Sequence, residues 1–429
     1  MFDIDDYRWL STSQCQKLWQ SLCSEPTTRS DALLKRLRAL LPANQASLLA
    51  EQIELIAMAR KKVAHPQNWF WTRQLLEQSS DFETAAETAL DFPTGNRVWD
   101  ICCGAGADSV ALAHLGLIVQ AVDHCPIACE LTRHNAQSHG LQINVFDRSA
   151  DQTEFDPNSY INIDPDRRKE GARSSSLDRL SPSWETVVTL LGKCQGMSLK
   201  LAPGTRVDFD GLAHRVERPP ESVRFLSKDG SVRQQRWCWG LERWPTGSIT
   251  ASMHLNEPST RRAEQFVASQ PGERTPNATA SQGWFHETFS TKEVHSMNSS
   301  NLAYAPSAFV ADYDPSLRAA ELSSCFAKRW GWQLMDSSSG YLTATEASVH
   351  PMVRWFRVLE VLPLDNKRIK SFARAANVRT WELKSRGLEV DLNGLRKILP
   401  TEKKSQESMT ILCTKLGNHH RAIFCKEVV

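Results

Sequence analysis

A strand, a glycine turn and the start of a helix follow one another at residues 98–108, and they constrain the fold most. Residues 98–101 form a short apolar run that is typical of a buried strand. Gly104 and Gly106 allow backbone conformations closed to other residues, and they place no Cβ between the backbone and a ligand. A second apolar run ends in Asp123, whose carboxylate can accept hydrogen bonds from a ribose diol. This order predicts a nucleoside-binding half of an α/β fold.

The rest of the central region extends this pattern to a parallel sheet. Three further strands are predicted, at 141–146, 160–163 and 196–201. Helical stretches separate them, and such alternation indicates a doubly wound parallel sheet. Gly104, Asp123 and Asp164 each follow the end of a strand, and ligands of such sheets bind at the carboxyl ends of the strands. The predicted fold class is therefore α/β with a Rossmann-like sheet.

The regions around this sheet have different patterns. Residues 1–64 repeat leucines at helical spacing and predict an N-terminal helical region. The central domain is predicted over 65–345, with the aromatic residues at 69–71 interpreted as core. Within it, 258–300 is rich in Ser, Thr, Asn, Gln and Pro and predicts a flexible insertion or extended loop. Residues 350–429 again alternate strands and helices, which predicts a separate small α+β domain.

Composition limits the possible partners and the compartment. The net charge of the 429 residues is +2, so any affinity for nucleic acid must come from a local patch. Such a patch exists at 351–400, where 11 Lys or Arg stand against 5 Asp or Glu, an excess of 11 − 5 = +6. The eleven cysteines lack paired zinc-site spacing, so we expect no metal and a reducing, cytoplasmic compartment. We expect no membrane segment, because no apolar run is long enough; the oligomeric state stays open.

The motifs resemble those of a known enzyme family. Residues 100–106, then Asp123, then Asp164-Pro165 resemble motifs I, II and IV of class I S-adenosylmethionine-dependent methyltransferases, in the same order. The run at 70–80 resembles the segment that lies over the methionine part of the cofactor in that fold. With the basic C-terminal unit, the chain is similar to methyltransferases that end in a THUMP-like domain. The resemblance implies S-adenosylmethionine as cofactor.

The resemblance also implies which residues hold the cofactor. The turn at 100–106 would hold the methionine end, and Asp123 the ribose. Asp147 or Asp151 would accept the exocyclic amine of adenine; the alternative for each is a solvated loop acid. The full predicted set is Thr72, Glu77, Gln78, Asp100, Cys102, Gly104, Gly106, Asp108, Asp123, His124, Asp147 and Asp151.

The fourth strand end carries the predicted catalytic residues, which are Asp164, Pro165, Arg167 and Arg168. Asp164 would face the methyl group and the acceptor, either taking a hydrogen bond or proton or fixing the geometry. The two arginines could hold a phosphate or carboxylate; the alternative is a salt bridge to Asp166 or Glu170. Enzymes that methylate exocyclic amines of bases commonly carry a second proline and an aromatic here. Asp166 and Arg167 stand in those places, so the acceptor atom stays open.

The predicted substrate is RNA, either tRNA or rRNA, bound by the basic C-terminal unit. The predicted RNA-binding residues are Lys367, Arg368, Lys370, Lys384 and Arg386. One alternative is a methyltransferase of a small molecule or protein, and another is a non-catalytic cofactor-binding interaction protein. RNA enzymes that methylate carbon through a cysteine need a thiol near the strand ends. Cys194 has no local base and is interpreted as structural.

Overall fold

The chain divides into two compact units. The computed structural model describes residues 2–24, 30–166, 168–169, 172–173, 177–205, 218–269, 278–281, 283–296, 302–336 and 339–428. The first unit comprises Met1–Val223 and Gln235–Thr246, and the second comprises Arg224–Gln234 and Gly247–Val429. The boundary predicted between 345 and 350 lies inside the second unit, because a strand at 309–313 pairs with residues 353–357 and one sheet therefore continues across it.

Helices dominate the beginning of the first unit. Its described helices are α1 (Ile4–Leu10), α2 (Ser13–Ser24), α3 (Ser30–Arg38), α4 (Ala43–Ala59), α5 (Arg73–Gln78), α6 (Phe82–Ala89), α7 (Ala107–His114), α8 (Pro126–Ser138) and α9 (Trp184–Leu191). Most of the leucines with helical spacing are buried in one core, as Leu37 and Leu48 show with no exposed surface, whereas Leu40 is exposed. The aromatic residues at 69–71 belong to the same core, which confirms their interpretation as core.

A parallel sheet forms the centre of the first unit. Its strands are β1 (Arg97–Ile101), β2 (Ile118–Asp123), β3 (Asn144–Asp147), β4 (Tyr160–Ile163) and β7 (Gly196–Leu201), and β5 (Arg168–Lys169) and β6 (Ala172–Arg173) form a separate ribbon. The strand order is β3-β2-β1-β4-β7, and neighbours are parallel. Every residue of β4 and β7 is buried, as expected for parallel strands covered on both faces. The strand order reverses between β1 and β4, which is where such folds bind ligands.

Two local features explain how this sheet begins and ends. β3 starts at Asn144 instead of the predicted 141, because Gly140 (φ 69°) ends α8 and the Leu141 N–H still donates to the Ala136 carbonyl. A hairpin of β8 (Ser222–Lys228) and β9 (Ser231–Trp239) follows the parallel strands. Residues 235–239 of β9 run antiparallel to β7 and close that edge.

The second unit is built around antiparallel strands. Its remaining strands are β10 (Ser248–His254), β11 (Ala278–Ser281), β12 (Trp284–Ser290), β13 (Leu302–Ala303), β14 (Phe309–Tyr313), β15 (Gln333–Met335), β16 (Tyr341–Ala344), β17 (Val353–Pro363), β18 (Thr380–Arg386), β19 (Ser408–Leu416) and β20 (His419–Glu427). Its described helices are α10 (Glu257–Ser269), α11 (Thr291–His295), α12 (Pro315–Ala319), α13 (Ser323–Arg329), α14 (Asn366–Ala375) and α15 (Leu392–Ile398). Eight strands form one sheet in the order β13-β15-β16-β14-β17-β20-β19-β18.

The segment 258–300 differs from its predicted state. Its described residues form α10, β11, β12 and α11 instead of a flexible insertion or extended loop. α10 buries Ala263 and Phe266, three positions apart on one face, and β12 pairs with β10 along its whole length. The polar residues lie largely on the exposed face of α10, and only a few apolar residues hold the helix in place. The composition therefore gives little sign of this helix.

The C-terminal part of the second unit is a small α+β arrangement. β18 and β19 are parallel, whereas β20 runs antiparallel to β19 and β17 antiparallel to β20. α14 buries Ile369 and Ala373 against this sheet, in a core that includes Phe424. Across the part of the chain that the structure describes, no helix combines the length and apolar character needed to cross a membrane.

Candidate functional site

A cavity of about 430 Å³ opens at the carboxyl ends of the parallel strands. Four residues of the predicted cofactor set line it, namely Cys102, Asp123, His124 and Asp151. Sequence reasoning missed Arg148 and Ser149, which follow β3, and the stretch 181–186 that leads into α9. The sequence indicates a helix start at Ser183, but only the tertiary structure brings this residue to the cavity. The site therefore combines the ends of β1, β2 and β3 with the entry to α9.

The glycine turn packs tightly against α8. Gly104 and Gly106 have φ angles of 56° and 85°, in the left-handed region that favours glycine. A Cβ on Gly106 would lie 3.0 Å from Cγ2 and 3.1 Å from Oγ1 of Thr132. The Thr132 hydroxyl donates a hydrogen bond of 2.9 Å to the Gly104 carbonyl. The turn thus needs glycine for its conformation and for its close approach to α8.

Asp123 ties this turn to the end of β2. Its carboxylate accepts hydrogen bonds from the Gly104 N–H (3.0 Å) and from the Cys125 N–H (2.9 Å). The side chain is buried, and burial raises the pKa of Asp123. A carboxylate has about four lone-pair positions, so two bonds leave room for further donors. Asp123 can therefore shape the cavity wall and also accept hydrogen bonds from a ligand. His124 beside it is exposed, with its Nδ1 3.6 Å from the carboxylate.

The structure distinguishes the two acids that the sequence left open for adenine. Both acids are exposed, but Asp151 lines the cavity, whereas Asp147, at the end of β3 and in register with Asp123, is not among the described lining residues. Arg148 lines the cavity too, with its guanidinium carbon 4.6 Å from the centre of the Phe146 ring. Asp151 is therefore the better placed acid for a ligand in this cavity.

Neither Cys102 nor Cys194 has the environment of an activated nucleophile. Cys102 lines the cavity with a φ of 62°, and burial holds the pKa of its thiol well above the usual range. Burial likewise raises the pKa of Cys194 to about 11, and its thiol donates to the Leu191 carbonyl at 3.7 Å. A nucleophilic cysteine needs a lowered pKa, so the arrangement favours chemistry without a covalent cysteine adduct.

Asp164 is held by a lysine that the sequence analysis did not single out. Lys200 lies in β7, next to β4, and its Nζ donates to Asp164 Oδ2 at 2.5 Å. The lysine side chain is 7% exposed and that of Asp164 25%, so the carboxylate keeps a face open to solvent. A single charged residue inside a strand of mostly apolar residues is the pattern that points to it in the sequence. Pro165 is buried, Arg167 lies outside the described residues, and the structure describes Arg168 only by its backbone in β5.

Asp100 is buried below the turn and away from the cavity. Its carboxylate accepts hydrogen bonds from Asn162 Nδ2 (2.7 Å) and from the Ser109 hydroxyl. Arg236 donates in turn to Asn162 Oδ1 at 2.7 Å. Burial, with the charge of Asp108, raises the pKa of Asp100 to about 7. Asp100 therefore links the end of β1 to β4 and to α7, the helix that begins after the turn.

This raised pKa predicts a pH-dependent stability. The folded-state pKa of Asp100 exceeds its ordinary value of 3.8, so the protonated carboxyl stabilises the fold. That contribution is complete below about pH 4 and is lost as the pH rises through about 7. We expect the free energy of unfolding to fall from pH 5 to pH 8, by at most about 1.4 kcal/mol per pH unit for one proton. In denaturant titrations Asp100→Asn should have a flatter profile, whereas Asp147→Asn should keep the wild-type slope. Identical slopes for all three proteins would contradict the assignment.

The other predicted cofactor residues lie in segments beside the turn. The Thr72 hydroxyl caps α5 by accepting from the Leu75 N–H at 3.0 Å. Glu77 is exposed, and Gln78 is the last residue of α5. Asp108 lies in the first turn of α7 and accepts from the Ser80 hydroxyl at 3.2 Å. Among the described residues that line the cavity, these four side chains do not appear.

The predicted RNA-binding residues fall into two groups. Lys367, Arg368 and Lys370 are exposed on α14, and none forms an ion pair with another described residue. Lys384 and Arg386, in contrast, both bind the carboxylate of Asp312, with a Lys384 Nζ–Oδ2 distance of 2.5 Å. Their charge is partly compensated by this carboxylate, so α14 offers the freer cations.

Comparisons with known proteins agree with this arrangement. A family model described as RNA cap guanine-N2 methyltransferase matches residues 95–187, and one described as THUMP domain-like matches residues 353–427. The chain is similar to an uncharacterized S-adenosylmethionine-dependent methyltransferase of Mycobacterium tuberculosis, found in strains CDC 1551 and H37Rv. The identity is 23% over 365 residues, covering 83% of this chain and 89% of that protein.

A solved structure extends the likeness to the whole chain. It is that of a candidate methyltransferase from Porphyromonas gingivalis W83, 17% identical, with 100% of both chains covered and a TM-score of 0.69. At this identity the likeness concerns the fold alone. Within the described residues, no cluster of three or more His, Cys, Asp or Glu could hold a metal ion.

Proposed function

Because this chain is a class I S-adenosylmethionine-dependent methyltransferase with a C-terminal THUMP-like domain, we propose that the acceptor of its methyl group is RNA. The family model over 95–187 is described for RNA cap guanine-N2 methyltransferases, which supports an RNA acceptor. The THUMP-like match over 353–427 contains the exposed cations of α14. The first region would transfer the methyl group, and the second would bind the RNA.

The cavity of the first unit fits the cofactor. Its volume lies in the usual range for small-molecule sites, and a buried carboxylate and apolar side chains both line it. Asp123 would accept from the ribose hydroxyls, and Asp151 from the adenine amine. The turn around Gly104 and Gly106 would hold the methionine part. When bound, S-adenosylmethionine supplies a methyl group made electrophilic by its sulfonium.

Asp164 would serve the acceptor side of the site. Lys200 occupies Oδ2, and the Asp164 side chain is still partly exposed, so the carboxylate keeps lone pairs for another donor. A carboxylate only accepts hydrogen bonds, so it would orient an N–H or O–H group of the acceptor. Alignment of acceptor and methyl group supplies much of the acceleration in such a transfer. Pro165, buried behind it, would keep the loop backbone in place.

The charge of α14 is the observation that carries the RNA proposal. The helix buries Ile369 and Ala373 and exposes Lys367, Arg368, Lys370 and Arg374 on its other side. None of these four cations forms an ion pair with another residue that the structure describes, so they can neutralise backbone phosphates, and such binding is salt-dependent. Contacts of this kind position RNA without reading its sequence.

We expect Lys367→Glu/Arg368→Glu to weaken RNA binding by at least about tenfold at 100 mM salt. The slope of log Kd against log salt should flatten by about two, because about one counterion is released per phosphate contact. The measurement is a filter-binding titration with total RNA between 50 and 300 mM salt. The matched control is Lys35→Glu/Arg38→Glu on α3, which removes two exposed cations and changes the net charge equally. Equal losses in both double variants would show a general charge effect and contradict the role of α14.

The acceptor class itself is tested with labelled cofactor. Wild-type enzyme is incubated with methyl-labelled S-adenosylmethionine and separated RNA, protein and metabolite fractions. We expect label in RNA, with much less transfer by Lys367→Glu/Arg368→Glu. Label confined to protein or to small molecules would overturn the RNA proposal and leave the cofactor assignment intact.

A further inference from the structure

Lys200 contacts the carboxylate of Asp164, on the proposed acceptor side of the site, and the hydroxyl of Ser80, which leads to Asp108. Its ammonium donates to Asp164 Oδ2 at 2.5 Å and to the Ser80 hydroxyl at 3.1 Å. The residue is 6% exposed overall, so both contacts are formed away from bulk water. Ser80 lies in the connection between α5 and α6, and Asp164 follows β4. One side chain of β7 therefore holds two segments that are far apart in sequence.

The hydrogen bonds at Ser80 can run in one direction only. An ammonium has no acceptor, so the Ser80 oxygen must accept from Lys200. The Ser80 hydroxyl hydrogen is then free to point to Asp108 Oδ2, which lies 3.2 Å away and, as a carboxylate, can only accept. The result is a polarised chain from Lys200 through Ser80 to Asp108. Buried chains of this kind are mutually strengthening and fix the rotamers of their members.

Asp108 marks the cofactor end of this chain. It lies in the first turn of α7, directly after the glycine turn that is proposed to hold the methionine part. Arg236 approaches the same oxygen, Oδ2, at 4.0 Å. The other oxygen, Oδ1, is buried and has no hydrogen-bond partner in the described part of the chain. A buried, unpaired carboxylate oxygen is costly, which makes the hydrogen bond that Ser80 donates to Oδ2 more important for holding Asp108 in place.

We propose that Lys200 is a positioning residue that couples Asp164, on the acceptor side, to Asp108, on the cofactor side, through the hydroxyl of Ser80. The coupling makes the acceptor carboxylate and the start of α7 one hydrogen-bonded assembly. The inference rests on the proposed roles of Asp164 and the turn, and it does not depend on RNA being the acceptor.

The test measures binding of S-adenosylhomocysteine by calorimetry, because this ligand needs no acceptor. We expect Ser80→Ala to weaken binding about fivefold, the effect of about one lost hydrogen bond. The matched control is Ser79→Ala. The Ser79 hydroxyl donates to the Leu76 carbonyl at 3.0 Å instead of joining the chain, so its affinity should stay within twofold of wild type.

Lys200→Gln then tests the coupling itself. Its affinity for S-adenosylhomocysteine should fall at least as far as that of Ser80→Ala, and the double variant should bind no more weakly than Lys200→Gln alone. Such non-additivity is expected of residues in one chain and not of independent sites. Wild-type affinity in Ser80→Ala, or additive losses in the double variant, would overturn the proposal. If Lys200→Gln fails to fold, the comparison of Ser80→Ala with Ser79→Ala decides alone. Failure of RNA methylation with intact coupling would affect only the proposed acceptor.

Discussion

Asp164→Asn is expected to slow methyl transfer by at least about 100-fold, the usual size of a lost group that orients or accepts a proton in the transition state. Asparagine keeps the shape of the side chain and an oxygen for Lys200. It removes the negative charge, and its NH2 group then faces the N–H or O–H group of the methyl acceptor. Both groups are donors, so the hydrogen bond between them is lost. The reaction should therefore lose alignment while the loop after β4 keeps its fold. The measurement is single-turnover transfer from labelled cofactor at saturating RNA.

Affinity for S-adenosylhomocysteine separates this effect from a general disturbance of the site. Asp164 does not appear among the described residues that line the cavity, so the affinity of Asp164→Asn should stay within about threefold of wild type. Asp166→Asn is the control, because Asp166 is exposed, lies two residues away and pairs through its backbone with Ser181. Wild-type turnover in Asp164→Asn would remove Asp164 from the catalytic residues. Equal loss in both variants would point to the loop instead.

Asp123→Ala is expected to weaken S-adenosylhomocysteine binding by about 100-fold. The variant loses the proposed ribose contacts, and hydrogen bonds to charged groups contribute roughly 1.5–3 kcal/mol each. It also frees the Gly104 and Cys125 N–H groups that the carboxylate holds at 3.0 and 2.9 Å, so the turn loses its anchor to β2. Calorimetric titration measures the affinity, and a thermal melt measures the accompanying loss of stability.

Two variants separate the ribose contact from the anchoring role. Asp123→Asn keeps one acceptor oxygen and should show an intermediate affinity. Asp147→Ala removes an acid from the adjacent strand end, in register with Asp123 but exposed. It should bind like wild type, and it carries the same change in charge. If Asp147→Ala loses as much affinity as Asp123→Ala, the assignment of the cavity to the adenosine part is contradicted.

Local sequence patterns were sufficient for the fold of the first unit. Each predictive feature depends on residues that are close together in the sequence. These features are the apolar run at 98–101, the glycines at 104 and 106 and the acid at 123. Strand burial, left-handed backbone angles and a strand-end carboxylate all follow from such features. The same holds for the C-terminal part, where strands and helices alternate in the structure as the sequence predicts. Segment 258–300 escaped this reasoning, because α10 depends on few apolar residues within a polar composition.

The sequence by itself identified the methyltransferase motifs, and it predicted Asp123 as an acid that binds the cofactor and Asp164 as an acid on the acceptor side. Tertiary structure alone decided what these acids contact. Lys200 reaches Asp164 from a neighbouring strand, and Asp312 forms ion pairs with Lys384 and Arg386 from far away in the chain. Hydrogen bonds and ion pairs act over a few ångströms in space and carry no fixed spacing in sequence. Lysines and arginines that look alike in the sequence therefore differ in how available they are to a ligand, because the fold gives some of them an acidic partner.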